Sequence, residues 1–145
     1  MDFFTGMEIV SSGLAAERVR MNLLASNLAN ARTTRTPEGG PYKRRDPVFA
    51  AVSVADRFAD LVSDPVARAA TMVEVPEIRQ DAAPPQLVFD PTHPDADSQG
   101  FVQMPNVNVV EEMVNLITAS RAYEAGVTVM QTLKGMARAA LSIAR

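Results

Sequence analysis

The chain has no cysteine, no tryptophan and a single histidine, His93. Without cysteine, disulfides, thiolate nucleophiles and cysteine-based metal sites are excluded. With one histidine, none of Ser26, Ser120 and Ser142 has a neighbouring base, so serine catalysis has little to build on. Two Tyr and six Phe are the only aromatic side chains. Bulky anchors for a self-contained core are therefore scarce, although nearly half the residues are apolar. No segment is long and apolar enough to span a bilayer. The opening MDFFTGMEIVSSGLAAERVR has no basic leader followed by an unbroken apolar run, so no cleavable secretory signal is expected. Export from the cytoplasm, if it occurs, is expected to use another route.

At 145 residues the chain has the length of one domain, and its net charge of −3 argues against binding nucleic acid with its whole surface. The charge is uneven. Residues 31–46 hold Arg32, Arg35, Lys43, Arg44 and Arg45 against Glu38 and Asp46, while the remainder holds nine bases against fifteen acids.

Both ends carry helical patterns. Thr5-Gly6-Met7-Glu8 fits a capping box opening a helix from about Thr5 to Asn30. Met7, Val10, Leu14, Glu17, Met21, Leu24 and Leu28 recur along it at alternating steps of three and four, a coiled-coil seam with Glu17 as its one polar break. Asn108-Val109-Val110-Glu111 offers a second cap after Pro105, and the pattern then runs without proline to Arg145. Its seam reads Val109, Met113, Leu116, Ser120, Tyr123, Val127 and Met130, then drifts to Leu133, Ala137 and Ala140. Such a helix reaches roughly 50 Å at about 1.5 Å per residue, and needs a partner along its length. Gly126 and Gly135 each cost about 1 kcal/mol relative to Ala in an exposed helix. They read equally as tolerated glycines or as points of close helix approach.

The expected fold is mainly α. Its N- and C-terminal helices pair as an antiparallel coiled-coil-like domain, with a small β or extended region between them. The boundaries are residues 1–31, 32–105 and 106–145. Strands are expected at Val48–Val54, Met72–Val75, Gln86–Phe89 and Gly100–Gln103, separated by proline and aspartate turns. Residues 55–71 read as a short helix with a loop around Pro65, or as an insertion. Neither terminal helix buries its seam without the other, so both ends are expected to be weakly ordered in an isolated chain.

The chemical candidates are weak. His93 lies near Asp90, Asp95 and Asp97, but the Asp-x-Asp-x-x-Gly run lacks the distal acid of a calcium loop, and a turn explains it better. Glu111 and Glu112 fall in a first helical turn, where they complement the dipole, in preference to a general acid/base pair. Gly39-Gly40 follows a helix and precedes Pro41-Tyr42, unlike a phosphate loop. No catalytic, metal or cofactor-binding residues are expected. Two rivals remain: a nucleic-acid-binding helical protein using the basic 32–45 loop beside Tyr42, and an independent helical adaptor.

ASNLANARTTRTPEGGPYKRRD resembles the N-terminal signature of the bacterial flagellar rod, hook and hook-associated proteins. VFDPTHPDADSQGFVQMPNVNVVEEMVNLITASRAYEAGVTVMQTLKGM resembles their C-terminal region, and the Thr-Pro-Glu-Gly-Gly-Pro-Tyr continuation is similar to that of a short rod subunit. Arg32, Gly126 and residues 55–71 depart from the pattern. The resemblance implies a non-enzymatic structural subunit of the proximal rod in the basal body, crossing the periplasmic space. It also implies export by the flagellar type III apparatus without a cleaved signal peptide. The implied partners are other copies of itself, the rod proteins FlgB, FlgF and FlgG, and the export-gate adaptor FliE, with no nucleic acid and no direct membrane span. Expected assembly residues are Met7, Leu14, Met21, Leu24, Asn27, Leu28, Asn30, Met113, Leu116, Tyr123, Val127 and Met130. Lys43, Arg44 and Arg45 are expected to meet acidic surfaces of adjacent subunits.

Overall fold

A computed structural model describes residues 3–53 and 70–143. The order is α1 (Phe3–Ala29), β1 (Arg45–Ser53), β2 (Thr71–Gln80), β3 (Gln86–Phe89), β4 (Phe101–Met104) and α2 (Val109–Ile143). The reading of residues 55–71 lies outside the described residues except for the start of β2. The chain divides into two compact units. One comprises Met1–Val19, Val48–Glu77 and Ala119–Arg145, the other Arg20–Pro47 and Ile78–Thr118.

In the first unit the two helices approach closely where α2 carries Gly126. A Cβ built on that glycine would lie 2.8 Å from Leu14 Cδ2. Gly126 is thus a point of close approach, whereas Gly135 has nothing within 4 Å and is a tolerated helical glycine. Ala16 and Ala119 are buried, as expected where small residues let helix backbones come near. Met72 and Ala70 form a small apolar cluster with Ile9 of α1. Ser12 Oγ donates to Ile9 C=O at 2.7 Å and accepts the Val73 N–H at 3.1 Å, tying β2 to α1.

In the second unit α1 ends because Asn30 turns back on it. Its Nδ2 donates to Ser26 C=O at 2.9 Å, and its Oδ1 accepts Thr33 Oγ1 at 3.2 Å. The following loop closes through Thr36 N–H to Gly40 C=O and Tyr42 N–H to Thr33 C=O, at 2.9 and 3.0 Å. Gly39 and Gly40 take φ of +90° and +74°, left-handed values that favour glycine. Asn108 caps α2, its Oδ1 accepting the Val110 and Glu111 N–H groups. α2 begins as the sequence predicts, but α1 begins at Phe3, so Thr5 is inside the helix and does not cap it.

The strands form two separate two-stranded sheets, β1 with β2 and β3 with β4. β3 and β4 are antiparallel, with Val88 opposite Val102 and Phe89 opposite Phe101. The His93 region between them is a turn built from local bonds. Asp90 Oδ1 accepts Thr92 N–H and Oγ1, Asp97 Oδ1 accepts Gln99 and Phe101 N–H, and His93 Nδ1 accepts the Asp95 N–H. Thr34 Oγ1 donates to Asp95 at 2.8 Å, holding this turn to the loop after α1.

The buried apolar set is thin: beside the alanines it holds Leu24, Tyr42, Met72, Val102 and Val107 among the described residues. Many large apolar side chains are exposed. On α2 within the second unit, Val110, Met113, Val114 and Ile117 follow helical spacing and share one open face.

Candidate functional site

The polar side chains that sequence reading associates with the helix end and the basic loop converge in the second unit. Asn27 is fully buried near the end of α1. Its Nδ2 donates to Arg45 C=O at 2.9 Å and to Glu112 Oε2 at 3.0 Å. Its Oδ1 accepts the Tyr42 hydroxyl at 2.9 Å and the Arg45 N–H at 3.0 Å. Both amide hydrogens and both lone-pair directions are therefore used. One side chain joins α1, the segment entering β1 and the first turns of α2.

Glu112, 1 % exposed, is the second centre. Its Oε1 accepts Arg44 Nε at 2.6 Å, and Arg44 also pairs with Asp46 through Nη1. Burial pulls the Arg44 guanidinium down, but the Glu112 hydrogen bond and the Asp46 and Glu112 charges outweigh it and hold its pKa above the ordinary value. The Asp46 carboxyl moves up because burial outweighs the opposing charge of Arg44. A buried ion pair of this kind contributes little net stability, yet removing one partner costs about 3–5 kcal/mol because a charge is left uncompensated. It specifies which segments meet more than it adds to stability. Among the described residues no three His, Cys, Asp or Glu groups could hold a metal.

The expected residues separate clearly. Leu24 is buried, and Met7, Leu14, Met21 and Leu28 of α1 are half-buried, as are Asn30, Leu116, Tyr123, Val127 and Met130. Met113 is not on the inner face. Exposed at 50 %, it lies on the open stripe, as does Val110, while Val109 too is exposed. The inner face begins instead with Glu112 and continues through Leu116, Ala119 and Tyr123 at helical spacing. The predicted seam therefore starts one residue out of phase, because the heptad assignment passed over a charged residue. Arg44 is engaged within the chain, where sequence reading expected an intermolecular contact. Lys43 is exposed, and the Arg45 guanidinium lies over the Tyr42 ring, 5.9 Å from its centroid. Tyr42 and Asp46 were missed as members of this cluster, and Glu112 was read only as a dipole-complementing residue. The signal for Glu112 was its position four residues before Leu116 and seven before Ala119, an acid on an otherwise apolar stripe.

Both ends of the chain, which supply Asn27 and Glu112, match families of known proteins. Residues 7–35 match the family model for flagella basal body rod proteins, and residues 98–143 match the C-terminal model of flagellar basal body rod FlgEFG proteins. The first match contains Asn27 and Asn30, the second Glu112. The flagellar basal-body rod protein FlgC of Borreliella burgdorferi is 41 % identical, over 99 % of this chain and 98 % of its own length. This chain belongs to the FlgC family of flagellar basal-body rod proteins. The FlgC of Bacillus subtilis is 39 % identical over the full length of both chains, and that of Salmonella typhimurium 41 % identical over 89 % of this chain and 88 % of its own. These FlgC relatives are named for a place in a structure and not for a reaction, so the chain is assigned a structural role. Nothing in the FlgC match favours the nucleic-acid reading.

Proposed function

We propose that this chain is a structural subunit of the proximal rod of the bacterial flagellar basal body, part of the shaft that passes motor torque to the hook and surrounds the export channel. The observation that carries the reading is full-length similarity to basal-body rod proteins named FlgC. The physical character of the chain supports it. The core is thin and apolar side chains lie uncovered along α2, an arrangement suited to a protein completed by neighbours. Head-to-tail contacts that do not close generate helical tubes.

On this reading residues 1–31 and 106–145 supply the helical wall and residues 32–105 the connection between its helices. The neighbours are further copies of this chain and the rod proteins FlgB, FlgF and FlgG, with FliE adjacent. The flagellar type III apparatus delivers the chain to the rod, in the periplasmic space, without a cleaved signal. Burying the remaining apolar face only on assembly keeps the chain export-competent beforehand.

The test is complementation of a flagellated strain lacking its own FlgC, followed by purification of basal bodies. Restored swimming with the chain present in the rod is the expected result. Leu24→Asp, which puts a charge into the helix pair, and Met113→Asp, which puts one on the open stripe, should each abolish incorporation. Normal motility in both variants would sink the assembly account.

A further inference from the structure

The three successive bases do not share a fate. Arg44 points inward to Glu112 and Asp46, whereas Lys43 and Arg45, two residues apart on an extended segment, fall on the other side. They line a cleft of about 360 Å³ together with Arg35, Thr33, Glu38 and the Tyr42 ring. Among the described residues neither Lys43 nor Arg45 has a carboxylate partner. Arg35, 81 % exposed, reaches Asp95 only at 3.7 Å. The cleft thus holds three cations against the single acid Glu38. The Tyr42 ring holds Arg45 in place by a cation–π contact.

We infer that this cleft is an interaction surface that takes carboxylate side chains from an acidic stretch of a second copy of this chain, an inference that rests on the rod reading. Charge complementarity selects the occupant. Outside residues 31–46 the chain has nine bases and fifteen acids, with Asp97, Glu111 and Glu124 among the exposed ones, so a second copy offers carboxylates in excess of cations to this basic loop. The loop is poorly made for phosphate. The N–H groups of Thr36, Gly39 and Tyr42 are bonded within it and are not available to cradle an anion. It is equally poor for nucleobases, because the only aromatic ring is tied by its hydroxyl to Asn27 and has Arg45 over its face. Cationic side chains without a free stacking platform suit carboxylates.

The deciding experiment places a photo-reactive benzoylphenylalanine at Lys43 in the complementing chain and irradiates cells before basal bodies are purified. The expected product is a covalent dimer of this chain, with the crosslink mapping to a peptide that contains Asp or Glu at or beside the attachment point. Chain present in basal bodies but crosslinked only to another protein, or not at all, overturns the cleft and leaves the rod reading standing. Absence of even the unsubstituted chain from basal bodies overturns the rod reading and the cleft with it. As an independent measurement, self-association of the purified full chain at low salt should weaken about tenfold in Lys43→Glu/Arg45→Glu and on raising the salt concentration. Should the double variant lose its helical circular dichroism, Lys43→Gln alone is expected to weaken association measurably, and an unchanged value there overturns the inference. Salt-sensitive binding of duplex DNA that disappears with the same substitutions would also overturn it.

Discussion

Replacing Asn27 by aspartate changes almost no volume and leaves Oδ1 free to accept from Tyr42 and Arg45, so it isolates the two bonds made by Nδ2. In place of that donor the variant sets an oxygen about 3 Å from Glu112 Oε2 and from Arg45 C=O. Two carboxylates at that separation repel by about 5 kcal/mol at an effective dielectric constant of ~20. Arg44 is already bound to Glu112 and Asp46 and relieves only part of this. Asn27→Ala, which loses all four bonds but adds no charge, should cost about 2–4 kcal/mol, chiefly from the buried Glu112 Oε2 left without its amide donor, while the Tyr42 hydroxyl keeps Ser26 Oγ at 3.4 Å. A domain stability of about 5–15 kcal/mol makes either loss easy to detect. At neutral pH Asn27→Asp should be the worse of the two. Acid reverses the order, because a proton on the introduced carboxyl restores a donor toward Glu112. A carboxyl introduced at position 27 beside a like charge is expected to hold its proton above the ordinary carboxylate range near 4, so its contribution to stability is present below that range and is lost as pH rises through the raised value. Urea unfolding of the wild-type chain and both variants, followed by circular dichroism at pH 7 and pH 5, measures this directly. A deficit for Asn27→Asp that fails to shrink on acidification, relative to Asn27→Ala, would refute the buried Asn27–Glu112 contact.

Gly126→Ala forces a Cβ to 2.8 Å from Leu14 Cδ2, so the gain of about 1 kcal/mol in helix propensity should be outweighed by overpacking of about 1–3 kcal/mol. Thermal unfolding should show a net loss that disappears in a Leu14→Ala background. Gly135→Ala meets nothing within 4 Å and should stabilise the isolated chain by up to about 1 kcal/mol in the same assay. Gly100 combines a φ of +83° with a prospective Cβ 2.9 Å from Phe89 Cε2, so Gly100→Ala should cost more than about 1 kcal/mol and broaden the Phe89 and Phe101 ring signals in NMR spectra. Asp90 is held below its ordinary value of 3.8 by the Thr92 hydroxyl and N–H, whereas burial raises Asp46 above its own. Asp46 should therefore protonate before Asp90 in a carboxyl-carbon NMR titration. Asp90 then contributes stability that is lost as pH falls, and Asp46 stability that is lost as pH rises, with Thr92→Val moving only the Asp90 titration upward.

The helices were legible because repeated apolar residues along a helix leave a period that survives without coordinates. Asn30 and Asn108 marked helix boundaries by chemistry local to a few residues, and Gln86–Phe89 was recoverable because its run of apolar residues sits between proline turns. The start of α1 was not legible, since Thr5 and Glu8 satisfy a capping pattern that the helix overrides by beginning at Phe3. The phase of α2 failed for a related reason. Hydropathy assigns Met113 to the interior and Glu112 to water, yet the interior position goes to the acid because Asn27 and Arg44 are there to receive it.

That reversal shows which property a single sequence conceals. Asn27, the neighbouring Tyr42 and Arg44, and Glu112 come from three separate stretches of the chain, and each has an adequate local explanation as a helix amide, a turn aromatic, a surface base or a first-turn acid. Only their closure on one another makes any of them worth burying, because a carboxylate at that depth is tolerable only with a hydrogen-bonding amide and a cation already in place. An apolar replacement of the whole set could match its stability without reproducing its selectivity, since apolar surfaces accept many registers and this cluster accepts one. In a chain whose core is thin, fixing that register from within leaves the exposed Met113 and its stripe, and the Lys43–Arg45 cleft, presented in a single arrangement. Asn27, Arg44 and Glu112 thus fix the placement of an exposed stripe and a basic cleft that they do not line.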